Sequence, residues 1–528
     1  MELQIRVKNY RGFEDSTPLI ITIGKGFTAL VGPNNAGKSS LLKMFYELRG
    51  LWSQLSNKDE FRELFRGNIR GLSPQGVNDQ REIFCDSNTR DMEIDFTLLP
   101  ESLGTEHVRV VNHIRMTAQR ASLNYSVNYS CNPNFDPAKH QMRVFDESTL
   151  MDDSGQVRID GRSMIDHFKK LVNGMYIGPF RNAISQASSS YFDISIGTEF
   201  INTWNQWKTG PNKGQNLAIE RITEDIRNIF GFIKLEITAT PDLKTLQVNV
   251  DGRPFKLGEH GAGLSQFIVV FASAAIRKPD YIFIDEPELS LHPSLQIDFL
   301  TSLASYAAEG VVFATHSIGL ARSIGDRIFS LQKKGNGVIC KPFEQTPNYA
   351  EFLGEMSFSS FKELGFERIL LVEGVTDVKT IQQFLRLLNK DHKVVVLPLG
   401  GDQLAKGNVE VELGELARIT SPGNIAALVD SERGSAGAAP IAARTLFEQS
   451  CKKLGFKVQL TQRRAIENYL SDRAIKEERG PSFKALGPYE ALKASSNAWD
   501  KRESWRIARR MKWQELETTD IGEFLASL

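Results

Sequence analysis

At 528 residues the chain is too long for one hydrophobic core, which predicts two or three domains. Hydrophobic residues make up 41% and charged residues 24%, an ordinary balance for a soluble globular protein. Lys+Arg and Asp+Glu are both 64, so net charge neither points to nor excludes a nucleic-acid partner, and local charge must decide.

The N-terminus, "MELQIRVKNYRGFED", is charged and alternating, unlike a signal peptide. Its "LQIRVKNYRGF" reads as a strand, and "FTALVGPNNAGKSSLLKMFYELRGLW" as strand, glycine loop and helix. Between Asp91 and Ile159 alternating segments such as "MEIDFTLL" and "HVRVVNHIRMTA" predict an antiparallel β region. Helices follow at "FINTWNQWK" and "LAIERITEDIRNIFGF", then a β pair in "KLEITATPDLKTLQVNV". The longest apolar run, Phe267 to Ile276, is about half of what spans a bilayer and reads as a buried helix. The strands "YIFID" and "GVVFATHS" come next. Residues 346–365 read as a linker, after which "RILLV", "KVVVLPL", "NIAALVD" and "KVQLT" alternate with helices, the rhythm of a parallel α/β sheet. Cys85, Cys131, Cys340 and Cys451 are far apart and form no CxxC pair, so a zinc ribbon is not expected and a reducing, cytoplasmic setting is.

"GPNNAGKS", Gly32 to Ser39, matches the phosphate-loop pattern between a strand and a helix. Its glycines let backbone N–H groups wrap phosphates, and the helix start adds positive potential. Asn34, Asn35, Gly37, Lys38, Ser39 and Ser40 are the expected nucleotide contacts, with Lys38 on the β and γ phosphates and the Ser39 hydroxyl on Mg²⁺. "YIFIDEPELSLHP" ends an apolar strand in an acid pair, costly there without a cation. Asp285 is the candidate to hold Mg²⁺ through water, and Glu286 the candidate to polarise attacking water. His316, at the end of another apolar strand, is placed to sense the γ phosphate.

The order of phosphate loop, "DEPELSLHP" and "ATHS", with "KNYRGFED" near the start, resembles the ATP-binding-cassette ATPases of the SMC/RecF-like branch. The resemblance implies an ATPase domain over 1–345, with residues 183–255 as a helical arm and β pair suited to dimerisation or higher-order assembly. It places Arg11 near the nucleotide. It also makes "LGEHGAGLSQ" the signature segment, whose Gly261, Gly263 and Ser265 would cap ATP held by a second subunit in a head-to-head homodimer. The segment departs from the usual LSGGQ wording. "YIGPFRN", with Arg181, resembles the strand end before the arm; a plain surface turn is the alternative.

In 366–528 the apolar strand "RILLV" stops at Glu373, with Asp377 four residues on, and "NIAALVDSERG" ends at Asp430 with Glu432 beyond. In a parallel α/β sheet such groups collect at the strands' carboxyl ends. If these two strands are neighbours, Glu373, Asp377, Asp430 and Glu432 converge on one point. Clustered carboxylates raise one another's pKa unless a cation intervenes, and all-oxygen ligands favour Mg²⁺ first and Mn²⁺ next. The arrangement resembles the Toprim domain of topoisomerases, primases and OLD-family nucleases, with Asp430-Ser431-Glu432 as DxE where that domain has DxD. "IENYL" resembles a segment of related nucleases and makes Glu467 an extra metal ligand. "PLGGDQ", with Gly400 and Gly401, fits a turn at the same edge.

From Cys451 to Lys512 basic residues outnumber acids: Arg463, Arg464, Lys501, Arg502, Arg506, Arg509, Arg510 and Lys512 alternate with Trp499, Trp505 and Trp513. This suits a phosphate backbone and unstacked bases. It equally suits an amphipathic terminal helix with buried tryptophans and solvated arginines. OLD-like nucleases carry a C-terminal basic residue near the metals, and Lys501, ahead of Lys512, is the choice here.

Together these features resemble an OLD-family protein, an ABC ATPase fused to a Toprim nuclease. The resemblance implies two-metal phosphodiester hydrolysis gated by ATP, on DNA in preference to RNA. It also implies a setting in bacterial anti-phage defence, with a retron RNA–DNA as one candidate partner and no membrane. The opposing class is a nucleotide-switched clamp whose Toprim fold only binds. Topoisomerase chemistry lacks a separate tyrosine-bearing module, and primase chemistry lacks a zinc module.

Overall fold

The computed structural model describes residues 2–32, 35–65, 67–100, 108–132, 142–146, 149–152, 158–179, 190–259, 262–288, 291, 293–334, 337–343, 368–391, 393–399, 413, 422–495 and 498–528. Asn34, Gly261, Arg181, Gly400, Gly401 and the expected linker lie outside these residues.

The N-terminal strand Glu2–Lys8 alternates as its sequence does, burying Leu3, Ile5 and Val7. It pairs antiparallel with Leu19–Ile23 on one side and Met92–Leu99 on the other, Ile5 facing Phe96. Val108–Ala118 and Asn124–Asn132 extend this largely antiparallel sheet, as the alternation between Asp91 and Ile159 predicts.

A second sheet is built from near-continuous apolar runs, because helices cover both faces. Its order is Met175–Ile177, Tyr281–Asp285, Gly310–Thr315, Gly26–Val31, Arg327–Lys334 and Gly337–Pro342, parallel except for the last pair. The phosphate-loop strand, Gly26–Val31, is thus central, and the strand ending in Thr315 separates it from the one ending in Asp285. The helix that follows the loop, Lys38–Glu47, buries Leu41, Leu42 and Phe45 against this sheet, Phe45 stacking on Phe283 at 4.1 Å. The run Phe267 to Ile276 lies in the helix Ala262–Arg277, and Phe267, Val270 and Phe271 are fully buried. Helices Gly197–Thr209 and Lys213–Phe230 occupy the arm region. Its β pair, Leu235–Ala239 with Leu246–Val250, gains a third strand, Arg253–Lys256, which sequence alternation does not reveal: its side chains are largely exposed.

The C-terminal sheet is parallel, in the order Val394–Pro398, Arg368–Val372, Ile425–Val429, Lys457–Leu460. Arg368–Val372 and Ile425–Val429 are therefore neighbours. Helix Val375–Leu387 leaves the first of these and packs between the two halves of the chain. Its Arg386 and Gln382 bond Asp298 of the helix Pro293–Ala304.

The basic C-terminal segment resolves in favour of packing. Trp505 is buried, 6.3 Å from Phe27, and Trp499 is buried with its N–H on Ser504. Arg506 donates to the carbonyls of Ala304 and Ala307, Arg509 pairs with Asp225, and Arg510 with Glu478. Trp505, Arg506 and Arg509 thus join the two halves of one molecule, while Trp499 and Arg510 pack within the C-terminal half; Lys512 stays exposed.

Candidate functional site: two acidic strand ends

Gly37 caps the phosphate-loop helix with φ +84°, a left-handed conformation that favours glycine, and Asn35 at φ +60° makes the preceding turn. At Gly32 a Cβ would lie 2.2 Å from the Leu331 carbonyl oxygen, so the loop passes where only glycine fits. Lys38 is buried. Its ammonium donates to the Gly32 carbonyl at 2.8 Å and lies 3.3 Å from His316 Nε2. Burial lowers its pKa against the opposing pull of Asp285, Glu286 and Glu288. Ser39 is exposed and Ser40 half-buried at the helix start.

Asp285 ends its strand buried, with neither carboxylate oxygen in a well-formed protein hydrogen bond. Burial pushes it up to about 6; Glu286 and Glu288 add to the rise, while the Ser39 hydroxyl beside it and Lys38 oppose it. Glu286 follows at φ +50°, and its carboxylate lies 3.3 Å from His316 Nε2. Glu288, which the sequence reading passes over, fixes the histidine. It accepts from the Thr315 hydroxyl at 2.7 Å and from the His316 N–H at 2.9 Å. Lys38, Ser39, Asp285, Glu286 and His316 thus meet at one edge of the sheet. Two expected contributors turn elsewhere. Arg11 spends its guanidinium on Glu47 at 2.6 Å, because Glu47 is buried and needs a counter-charge. Ser265 is buried and donates inward to the Leu257 carbonyl, so its hydroxyl is not presented at the surface; Gly263 beside it is half-buried.

The second site gathers at the carboxyl ends of the C-terminal sheet. Asp377 sits in the first turn of its helix, accepts the Gly374 N–H at 3.1 Å and turns its other oxygen to Lys501, 3.2 Å away. Asp430 accepts the Ile466 N–H at 2.9 Å and lies 3.8 Å from the same ammonium. Glu467, from the short turn Ile466–Tyr469, is 3.0 Å from it. Glu373 is bonded by Arg444, and its second oxygen is buried without a partner.

Burial raises the pKa values of Asp430, Glu467 and Glu373, and neighbouring carboxylates add to each rise while Lys501 opposes it. Lys501 is partly desolvated, which lowers its pKa, yet Asp377, Asp430 and Glu467 together hold it well above the usual lysine value. The expected quartet is corrected in one member. Glu432 has φ +55°, gives its N–H to the Arg464 carbonyl and pairs its side chain with Arg464, so its carboxylate leaves the cluster. Glu467 stands in the cluster instead. The all-oxygen donor set suits Mg²⁺ or Mn²⁺. As they stand around the ammonium, no three His, Cys, Asp or Glu side chains among the described residues close on one point as a metal cage.

Residues 27–322 match the family described as "AAA domain, putative AbiEii toxin, Type IV TA system". The chain belongs to this AAA-domain family. Over 442 residues it is 23% identical to the Old nuclease of Escherichia phage P2, covering 73% of this chain and 70% of that protein. It is an AAA-type ATPase related to Old nuclease. Among solved structures, the SmcHead bound to the C-winged helix domain of ScpA is 13% identical with TM-score 0.38, covering 65% of this chain and 97% of its own. The SMC head domain from Thermotoga maritima is 15% identical with TM-score 0.33, covering 65% and 100%. No described helix of this AAA-domain ATPase is long and apolar enough to cross a membrane. Arg444, the other residue of the site that sequence reasoning missed, sits within "AARTLFEQS", where nothing separates it from a surface helix arginine.

Proposed function

We propose that this ATPase is a divalent-metal-dependent endonuclease, its C-terminal sheet forming a Toprim-type site that cleaves DNA under the control of ATP. The observation that carries the reading is the convergence of Asp377, Asp430 and Glu467 on one cation, beside the unpartnered oxygen of Glu373. Three buried acids meeting at the ends of parallel strands need a cation to offset their burial and mutual repulsion. In this reading Glu373, Asp377, Asp430 and Glu467 hold Mg²⁺ or Mn²⁺. Bound metal supplies an activated water and stabilises the leaving oxygen. Lys501, with two-fifths of its side chain exposed, swings from the carboxylates to the scissile phosphate and balances its charge. Arg444 orients Glu373. Glu432, held by Arg464, stays outside the metal set.

At the other site Lys38 and Ser39 would hold the phosphates and Mg²⁺ of ATP with Asp285 beside them as a further holder of the ion, and Glu286 with His316 would orient the attacking water. Pairing of two ATPase heads, action in the cytoplasm, and a role in anti-phage defence with a retron RNA–DNA as partner extend the same proposal from the resemblance.

The second reading is a nucleotide-switched clamp. What favours it is Lys501 itself, since an ammonium among the carboxylates satisfies them without metal. Plasmid nicking in Mg²⁺ or Mn²⁺, with and without ATP and with RNA alongside, separates the readings. Cleavage lost in Glu373→Ala supports the nuclease. Cleavage of RNA alone moves the substrate. No cleavage of either, with ATP hydrolysis intact, favours the clamp.

A further inference from the structure

The carboxylate cluster is not built by the C-terminal sheet alone. Two of its members, Asp377 and Lys501, arrive on segments that are tied to the ATPase half within two residues. Lys379, on the helix of Asp377, is fully buried and places its ammonium 2.9 Å from both carboxylate oxygens of Asp326, at the entry to an ATPase-sheet strand. The same Asp326 accepts the N–H of Phe27, at the root of the phosphate-loop strand, at 2.8 Å. Gly26 makes this approach possible, because a Cβ there would stand 2.3 Å from the Asp326 carboxylate. The Lys379 ammonium also lies 4.6 Å over the Phe27 ring, and the Trp505 ring lies 6.3 Å from that ring.

Lys501 is tied in parallel. Its neighbour Arg502 bonds Glu2 at 2.9 Å, and Glu2 is shared with Arg327, the residue after Asp326. Glu503 lies 3.6 Å from Lys25, just before the phosphate-loop strand. Both ties therefore end at or beside one short edge of the ATPase sheet, residues 25–27 and 326–327, to which Glu2 of the N-terminal strand is joined through Arg327.

A buried ion pair is a weak source of stability, since desolvation offsets much of its attraction, but it fixes geometry well. We propose that Asp326–Lys379 and Glu2–Arg502 are positioning ties through which the ATPase half sets the spacing between Asp377 and Lys501, and with it the cation affinity of the carboxylate cluster. This rests on the reading of that cluster as a metal site. None of the four residues touches the reacting atoms; they act through Asp377 and Lys501.

The test uses the full chain without nucleotide. Mn²⁺ binding is followed by electron paramagnetic resonance, and the part lost in Asp430→Asn defines the cluster's share. The double variant Asp326→Asn/Lys379→Met removes the charges while Asn still accepts the Phe27 N–H and Met refills the lysine stem. It is expected to weaken the cluster's Mn²⁺ binding by about tenfold, the usual scale for groups that orient ligands. Nicking should slow in step, with ATP hydrolysis within about twofold of wild type as the sign of an intact fold. Glu2→Gln should act in the same direction by a smaller factor, because Arg502 keeps Asp500. Unchanged Mn²⁺ binding in a folded double variant overturns the proposal. If the double variant loses ATP hydrolysis as well, Glu2→Gln alone decides in the same way. A wild type that cleaves nothing but shows the Mn²⁺ loss refutes the nuclease and leaves the ties standing; a wild type with no Asp430-dependent Mn²⁺ refutes both.

Discussion

The two acidic strand ends are built to one plan and finished differently. In each, an interior parallel strand leads to a buried aspartate, Asp285 or Asp430, whose pKa burial raises. In each, a glutamate one or two residues on takes a left-handed backbone, Glu286 at φ +50° and Glu432 at φ +55°. Strained backbone of this kind persists where the surroundings over-determine it, and functional sites are the usual place. The finish separates them. Asp285 has no well-formed protein donor on either oxygen, and Glu286 turns inward to His316. Asp430 has the Ile466 N–H and a lysine from the far end of the chain, and Glu432 turns outward to Arg464. The Asp285 carboxylate faces no cation at bonding distance among the described side chains, whereas the Asp430 carboxylate faces the Lys501 ammonium. The same strand-end geometry therefore carries two different charge environments, and the side chains that arrive from elsewhere decide which.

The sharpest break between the two is a crossed pair of variants. Asp430→Asn is expected to cut nicking on the order of a thousandfold, since metal stabilisation of the transition state is worth several kcal/mol, and to leave ATP hydrolysis unchanged. Lys38→Ala is expected to abolish ATP hydrolysis and every effect of ATP on nicking, without removing Asp430-dependent Mn²⁺ binding. If Asp430→Asn also stops ATP hydrolysis, the two sites are not separate machines. Next in size is Lys501→Met, expected to slow nicking about a hundredfold by removing charge stabilisation at the phosphate while strengthening Mn²⁺ binding by removing the competing ammonium. Weaker Mn²⁺ binding in that variant would show that Lys501 orders the carboxylates rather than competing with metal.

How far each site could be read from the sequence follows from what makes it. The phosphate loop depends on backbone conformation, so it needs fixed residues at fixed spacing, and "GPNNAGKS" is contiguous. The C-terminal sheet was legible for the same kind of reason: its strands are short apolar runs, and Glu373 and Asp430 stand where those runs stop. Side chains that meet across the fold leave no such trace. Glu432 keeps sequence spacing to Asp430, but a left-handed residue turns it out of the cluster, and that turn is not encoded by spacing. Glu288 and Arg444 act by what they face. The basic residues after Cys451 read equally as a nucleic-acid surface or as packing, because composition does not say which face of a segment is covered; the carbonyls of Ala304 and Ala307 and the carboxylates of Asp225 and Glu478 cover it.

A smaller effect separates the sites by stability. The Asp285 carboxyl is raised to about 6 from an ordinary value near 3.8. A raised acid favours folding below its unfolded pKa, and that advantage is lost as pH rises through the folded pKa. Without nucleotide, Asp285→Asn should therefore melt at the same temperature as wild type near pH 4 and a few degrees higher at pH 8, a gain on the order of 2 kcal/mol. Adding Mg²⁺ and ATP should reverse the order, because only the wild type gains a cation partner. Differential scanning fluorimetry at both pH values reads this. An equal melting temperature at pH 8 would mean that the buried carboxylate is already compensated.

The smallest effect tests the outward turn at Glu432. Its side chain is about one-third exposed and paired with Arg464, which is also partly exposed. Such a pair is worth little, roughly 0–1 kcal/mol. If the carboxylate stays outside the metal set, Glu432→Gln should change nicking by less than about threefold and leave Mn²⁺ affinity unmoved, whereas Glu467→Gln, substituting a buried member of the cluster, should weaken both about a hundredfold. The opposite ranking would mean that Glu432 swings inward when metal and nucleic acid bind. That swing would need the Arg464 pair to open, so Arg464→Gln would then raise Mn²⁺ affinity. The two carboxylates thus give a direct measure of whether the acids of the C-terminal sheet act where the folded chain holds them.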